Sequence, residues 1–170
     1  MKTFNKLIML CCCTLMTQQA LAEKDDNRNP LGCNDVGYTF DLKTLQLLPE
    51  HAGAGQSLYF IFNKSKQPIT LFQMRDLDSS RSMYFNHKID TAHWAVLATC
   101  ESKMKYICTI DDGQSHYGKV VDCKDHLRIC EYDNVKFGMN NKGNYWLVNS
   151  NNRNAAVREV VRYGIIPAVN

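Results

Sequence analysis

Short apolar segments, rather than long ones, recur along the chain from about residue 36 onward. Each is rich in β-branched or aromatic residues and ends at turn-forming residues, a pattern typical of strands. Residues 58–62 are apolar at every position, which predicts a strand covered on both faces. Many short, evenly spaced strands predict a mainly β, single-domain antiparallel β-sandwich of about seven to nine strands. The predicted strands are 36–40, 58–62, 69–74, 83–85, 94–97, 105–110, 119–121 and 144–148.

One C-terminal segment has helical spacing instead. Asn152 is a suitable N-cap for it and Gly164 a suitable residue to end it. We therefore expect one helix over about residues 153–163, docked on the sheet of a domain that spans residues 32–170. Its apolar stripe consists of Ala156, Val157, Val160 and Val161.

Residues 1–22 have the three parts of a cleavable secretory signal peptide. Lys2 and Lys6 precede a run of about ten apolar residues, and Ala20-Leu21-Ala22 has the small residues that a signal peptidase recognises. A membrane span needs about 20 apolar residues, and no later stretch has them. We expect a periplasmic or secreted protein without a transmembrane segment in the mature chain, in which residues 23–31, polar up to residue 30, form a flexible N-terminal tail.

The charge of the mature chain is close to balanced. The whole sequence has 20 basic and 17 acidic residues, and two of the basic residues lie in the leader. The remaining net charge is about +1, and no dense run of Lys and Arg is visible. Because nucleic acid binding needs a basic footprint, we do not expect a nucleic acid partner.

Five of the eight cysteines lie outside the leader. In an oxidising compartment this odd number predicts two disulfides and one further thiol. The spacing leaves the pairing open: Cys123 and Cys130 flank a segment that would form a closed loop, whereas Cys33 would tie the N-terminus to the body. The Cys123-x-x-His126 pattern is only half of a structural zinc motif, so we predict no metal.

The usual motifs of hydrolases and nucleotide-binding proteins are absent from the sequence. There is no Gly-x-Ser-x-Gly, phosphate-binding loop or His-Glu-x-x-His. We therefore predict no catalytic site and no cofactor. Aromatic residues offer a binding hypothesis instead, in which Trp94, Tyr145 or Trp146 meets a ligand. Tyr145 and Trp146 are neighbours on one predicted strand, so they must face opposite sides of the sheet.

Several short motifs occur in a fixed order over about residues 32–165. Together they resemble the enhanced-entry protein EnhB family, small exported proteins of intracellular bacterial pathogens. The motifs are Gly32-Cys33-x-x-x-Gly37-x-x-Phe40, Leu58-Tyr59-x-Ile61-x-Asn63-x-Ser65, Ile89-Asp90-x-x-x-Trp94-x-x-Leu97, Cys108, Val121-x-Cys123, Cys130-x-Tyr132, Gly143-Asn144-Tyr145-Trp146 and Gly164-Ile165.

The resemblance implies an exported, non-enzymatic protein that promotes entry into host cells. Its partner would be an envelope or host-surface protein or glycan. It also implies which cysteines form the disulfides, because Cys33, Cys108, Cys123 and Cys130 fall on the family's cysteine positions and Cys100 does not.

Two other functions stay open. One is a carbohydrate- or lipid-binding β-sandwich module without a role in entry. The other is a small exported enzyme, in which the thiol of Cys100 would act as nucleophile with His93 or His116 as its base.

Overall fold

A computed structural model describes residues 28–49, 56–74, 83–137 and 144–167. The predicted signal peptide and residues 23–27 of the predicted tail lie outside the described residues. The described part consists mainly of antiparallel strands in two sheets, with a short helix and a longer C-terminal helix. The predicted fold class is therefore confirmed.

Eleven strands occur in the described ranges, somewhat more than the sequence pattern predicted. Strands β2, β9 and β11 were not predicted. In β9 the charged residues Arg128 and Glu131 interrupt the apolar residues, so the sequence does not show the alternation of apolar and polar residues that is typical of a strand. In chain order the elements are β1 Tyr38–Asp41, β2 Thr44–Leu47, β3 Gln56–Asn63, β4 Ile69–Met74, β5 Met83–Ile89, β6 Trp94–Thr99, β7 Met104–Ile110, β8 Lys119–Val121, α1 Cys123–His126, β9 Leu127–Phe137, β10 Asn144–Ser150, α2 Arg153–Arg162 and β11 Ile165–Pro167.

The two sheets pack face to face, and the longer helix covers the outer face of one of them. The six-stranded sheet has the order β1-β2-β7-β4-β5, with β8 also paired to β7. The five-stranded sheet has the order β10-β6-β3-β9-β11. Helix α2 contacts β10, β11 and β6 of the five-stranded sheet. That sheet is therefore the middle of three layers.

The middle position of the five-stranded sheet explains why β3 is apolar at successive positions. Tyr59 and Ile61 belong to the core between the two sheets. Leu58 and Phe60 belong to the second core, beneath α2. The expectation that this strand is covered on both faces is confirmed.

Two disulfides join elements that are distant in sequence. Cys33 pairs with Cys130 and ties the N-terminal segment to β9, while Cys108 pairs with Cys123 and ties β7 to α1. The alternative of a loop closed between Cys123 and Cys130 is not realised, and Cys100 takes part in neither disulfide. Two buried disulfides indicate an oxidising compartment. Within the described ranges, no helix has the length and apolar character needed to cross a membrane.

Candidate binding groove

A groove of about 800 Å³ runs beside β1, between the N-terminal segment and the start of β9. Its volume lies within the range of about 300–1,000 Å³ that is common for ligand sites. Four basic residues from separate parts of the chain line it: Arg28, Lys64, Lys124 and Arg128. The tertiary structure thus assembles the basic cluster that is not visible along the sequence.

The turn after β3 positions Lys64 through the fully buried side chain of Asn63. The amide nitrogen of Asn63 donates to the carbonyl oxygens of Gln67 at 2.9 Å and of Ile89 and Asp90 at 3.1 Å each. Its amide oxygen accepts from the backbone N–H of Ser65 at 2.9 Å. These bonds hold the turn in one conformation, so Lys64 leaves the sandwich in a defined direction.

Helix α1 and the start of β9 position the other wall. The carboxylate of Asp122 caps α1 and accepts from the backbone N–H of Lys124 at 3.0 Å. The ammonium of Lys64 donates to the backbone carbonyl of Lys124 at 2.9 Å, which connects the two walls. Arg128 follows on β9, next to the buried Leu127.

The groove is strongly positive compared with the rest of the protein. Asp35 is the one acidic residue among its lining residues, and it accepts hydrogen bonds from Asn29 at 3.1 Å and Tyr38 at 3.4 Å. Four basic residues and one acidic residue give a net charge of +3. Within the described ranges, the side chains of Lys64, Lys124 and Arg128 form no ion pair with a carboxylate. Their charges are therefore available to an anionic ligand.

Aromatic rings from β1 line the groove between these charges. Tyr38 and Phe40 are half-buried, rest on the core between the sheets, and meet edge to face with centroids 5.6 Å apart. Burial, followed by the negative charge of Asp35, raises the pKa of Tyr38, so its hydroxyl stays protonated at neutral pH. Leu31, which is 82% exposed, adds an apolar side chain at the N-terminal wall.

The aromatic residues predicted to bind a ligand lie elsewhere, and they do not form one surface. Trp94 is fully buried beneath α2 and packs against Phe62 with ring centroids 4.8 Å apart, so it is not accessible to a surface ligand. Tyr145 is 43% exposed. Trp146, its neighbour on β10, faces the other sheet and stacks on His87.

The stack of Trp146 on His87 joins the edge strands β10 and β5 of the two sheets. The rings are 4.1 Å apart between centroids and only 3° from parallel. Nε2 of His87 is buried and has no hydrogen-bond partner among the described residues. Burial lowers the pKa of His87 to about 4, so its imidazole is neutral at neutral pH.

The structure does not bring Cys100 together with the two histidines considered as its base. His93 precedes β6 and Cys100 follows it, so the strand separates them by about 20 Å. His116 lies after β7, whereas Cys100 lies before it. No group of three or more His, Cys, Asp or Glu side chains in the described ranges is arranged to hold a metal ion.

Comparisons of the chain with protein-family models, with curated proteins and with solved structures found no match. The groove itself was missed by sequence reasoning because its four basic residues are up to 100 positions apart, from Arg28 to Arg128. The available signal was indirect: two of the four basic residues, Lys124 and Arg128, lie in the short segment between Cys123 and Cys130.

Proposed function

We propose that this protein is an exported, non-enzymatic binding protein that promotes bacterial entry into host cells. Its groove binds a negatively charged component of the bacterial envelope or the host surface. The observation that carries the proposal is the concentration of charge: the groove has a net charge of +3, whereas the mature chain has about +1. The resemblance to the enhanced-entry proteins supports the role in entry.

The chemistry of the groove favours binding over catalysis. The only cysteine among the described lining residues is Cys33, whose sulfur is bonded to that of Cys130, and these residues include no histidine, serine or threonine. General acid–base chemistry with carboxyl groups needs two of them in suitable positions, and the groove offers only Asp35. Its side chains instead supply cations, hydrogen-bond donors and aromatic rings, which are the groups that hold a ligand.

A carbohydrate- or lipid-binding module without a role in entry is the second candidate. The pair of half-buried rings, Tyr38 and Phe40, favours it, since such rings pack on the apolar faces of sugars or on lipid chains. The two candidates differ in whether loss of binding also reduces entry.

The test compares binding to intact host cells with binding to envelope fractions of the bacterium. The protein would be produced through the export pathway of a bacterial host, with its disulfides formed. The groove variant is Lys124→Ala/Arg128→Ala. The control variant is Lys88→Ala/Lys103→Ala, which removes the same charge from exposed residues outside the groove lining. Equal melting temperatures would show that both variants are folded.

Saturable binding to either target that is lost in the groove variant and kept in the control variant supports a binding role. Entry of bacteria that carry the groove variant should then fall, whereas the control variant should leave entry unchanged. Normal entry despite lost binding would favour the module without an entry role. Absence of binding to both targets would overturn the proposal.

A further inference from the structure

We propose that the ligand of the groove is an acidic oligosaccharide, a sugar chain that carries sulfate or uronate groups. This inference rests on the proposed function for the location of the site, and it adds the chemical class of the ligand. The juxtaposition of unpaired cations with recessed aromatic rings, in an open groove, is the basis of the inference.

The three basic side chains of the groove favour a ligand with several negative groups. Lys64 lies on the turn after β3, Lys124 on α1 and Arg128 on β9, so three separate elements on the two walls contribute the basic side chains. A single sulfate or carboxylate would engage only some of them. A chain with repeated anionic groups would engage them together and would gain from each charge-assisted hydrogen bond.

The types of cation suit sulfate and carboxylate groups. The guanidinium of Arg128 presents a planar fork of donors that matches two oxygens of one anionic group. The ammonium group of Lys124 acts as a rotatable point charge, whereas that of Lys64 is held by the backbone carbonyl of Lys124 at 2.9 Å and keeps two further N–H donors for a ligand. Both lysines and Arg128 are exposed, so a ligand reaches them without displacing the protein core.

The aromatic rings of the groove favour a ligand that contains sugar rings in addition to anionic groups. Tyr38 and Phe40 are held by the core and by each other, so their orientation is set before a ligand arrives. The C–H faces of a pyranose ring pack against aromatic rings, and the hydroxyl groups at its edge meet polar neighbours such as Asn29. Cations for the acidic groups and rings for the sugar body thus occur in one groove.

Other polyanions fit these observations less well. A bilayer is a broad surface, whereas Tyr38 and Phe40 are half-buried in a groove and would not reach it. Nucleic acid carries a charge about every 1.7 Å along a duplex and binds proteins with extended basic surfaces. Here the net charge of the mature chain is only about +1, and the groove concentrates four basic residues and one acidic residue at one place instead of extending along a face of the protein.

Isothermal titration calorimetry with four hexameric probes tests the inference. The probes are a heparin-derived hexasaccharide, hexagalacturonate, neutral maltohexaose and hexaglutamate. We expect one or both acidic saccharides to bind at least about tenfold more tightly than hexaglutamate, and maltohexaose to bind weakly or not at all. The heparin probe carries sulfate as well as uronate groups, whereas hexagalacturonate carries uronate only. Binding of the heparin probe alone would therefore show that sulfate is required, binding of hexagalacturonate would show that uronate suffices, and either result supports the inference.

The groove variant Lys124→Ala/Arg128→Ala should weaken binding of the acidic saccharide about tenfold or more, whereas Lys88→Ala/Lys103→Ala should change it less than about twofold. Binding should also weaken as salt rises from about 0.1 M to 1 M, because the Debye length falls from about 10 Å to 3 Å. Hexaglutamate bound as tightly as the acidic saccharide would overturn the inference, as would equal losses of affinity in both variants.

The two proposals fail in different ways. If the acidic saccharides do not bind but the groove variant still loses binding to cells or envelope, the ligand class is wrong and the proposed function stands. If the acidic saccharides bind in the groove but the protein binds neither host cells nor envelope fractions, the ligand class stands and the proposed function fails.

Discussion

Acid should weaken the fold through His87, whose imidazole stacks on Trp146 between the two sheets. Burial lowers the pKa of His87 to about 4 in the folded protein, compared with 6.5 in the unfolded chain. The unfolded chain therefore takes up the proton at a higher pH than the folded protein does. The contribution of the neutral His87 ring to the free energy of unfolding is fully present above about pH 6.5. It decreases as the pH falls, and no further loss occurs below about pH 4.

The magnitude follows from the size of the shift. Each pKa unit corresponds to about 1.4 kcal/mol, so a shift from 6.5 to about 4 sets an upper limit of about 3.4 kcal/mol. The ring is only partly buried, and solvent screening reduces this limit by about half. Between pH 7 and pH 5, where most of the titration of the unfolded chain occurs, we expect a loss of about 1 kcal/mol from this group.

The assay is urea unfolding at pH 7 and pH 5, for the native protein and for His87→Phe. Phenylalanine keeps an aromatic ring against Trp146 but cannot be protonated. The two proteins differ only at residue 87, so the difference between the two losses isolates His87. We expect the native protein to lose about 1 kcal/mol more than the variant. An equal loss in the two proteins would refute the reasoning.

Four further variants test other parts of the structure. Gly37→Ala should lower the free energy of unfolding in urea by about 2–4 kcal/mol. Gly37 has a φ of +71°, and an added Cβ would overlap the buried carboxylate of Glu131. A loss below about 0.5 kcal/mol would contradict this packing. Asn63→Ala should cost about 2–4 kcal/mol, since three carbonyl oxygens lose their donor. Asn63→Asp, which keeps the acceptor but not the donors, should lose nearly as much, and a stable Asp variant would show that the donated bonds matter little. Cys108→Ala/Cys123→Ala opens a loop of 15 residues and should cost about 3 kcal/mol. Because this disulfide anchors α1, the same variant should also weaken acidic saccharide binding under conditions where circular dichroism shows it folded, and unchanged affinity would argue against a role of α1 in the groove.

Local patterns in the sequence were sufficient for the fold class and for several elements. Short apolar segments bounded by turn residues predict antiparallel strands because neighbouring side chains on a strand alternate between its faces. The fully apolar stretch 58–62 predicted a strand between two covering layers, and the structure places it there. The helix predicted over about 153–163 forms at Arg153–Arg162, where Asn152 accepts from the backbone N–H of Ala155 at 2.8 Å.

The elements that escaped prediction depend on contacts that no local pattern records. Strand β9 contains Arg128 at the groove and the fully buried Glu131, which lies beside Gly37 and makes β9 look unlike a central strand. The partners of β2 and β11 supply their hydrogen bonds; β2 alternates polar and apolar residues over only four positions, and β11 has only three residues. The pairing of the cysteines likewise depends on which strands become neighbours, not on their spacing along the chain.

The sequence by itself determined the number and type of most elements, the odd count of cysteines and the near balance of charge. Only the tertiary structure decided where the basic side chains lie, which aromatic rings are accessible to a ligand, and which cysteines form disulfides. Trp94 and Trp146 look alike in the sequence, but one is enclosed beneath α2 and the other stacks on His87. Arg28, Lys64, Lys124 and Arg128 form one groove because β-sheet pairing joins segments that are far apart in sequence, and such long-range contacts leave no trace in local periodicity.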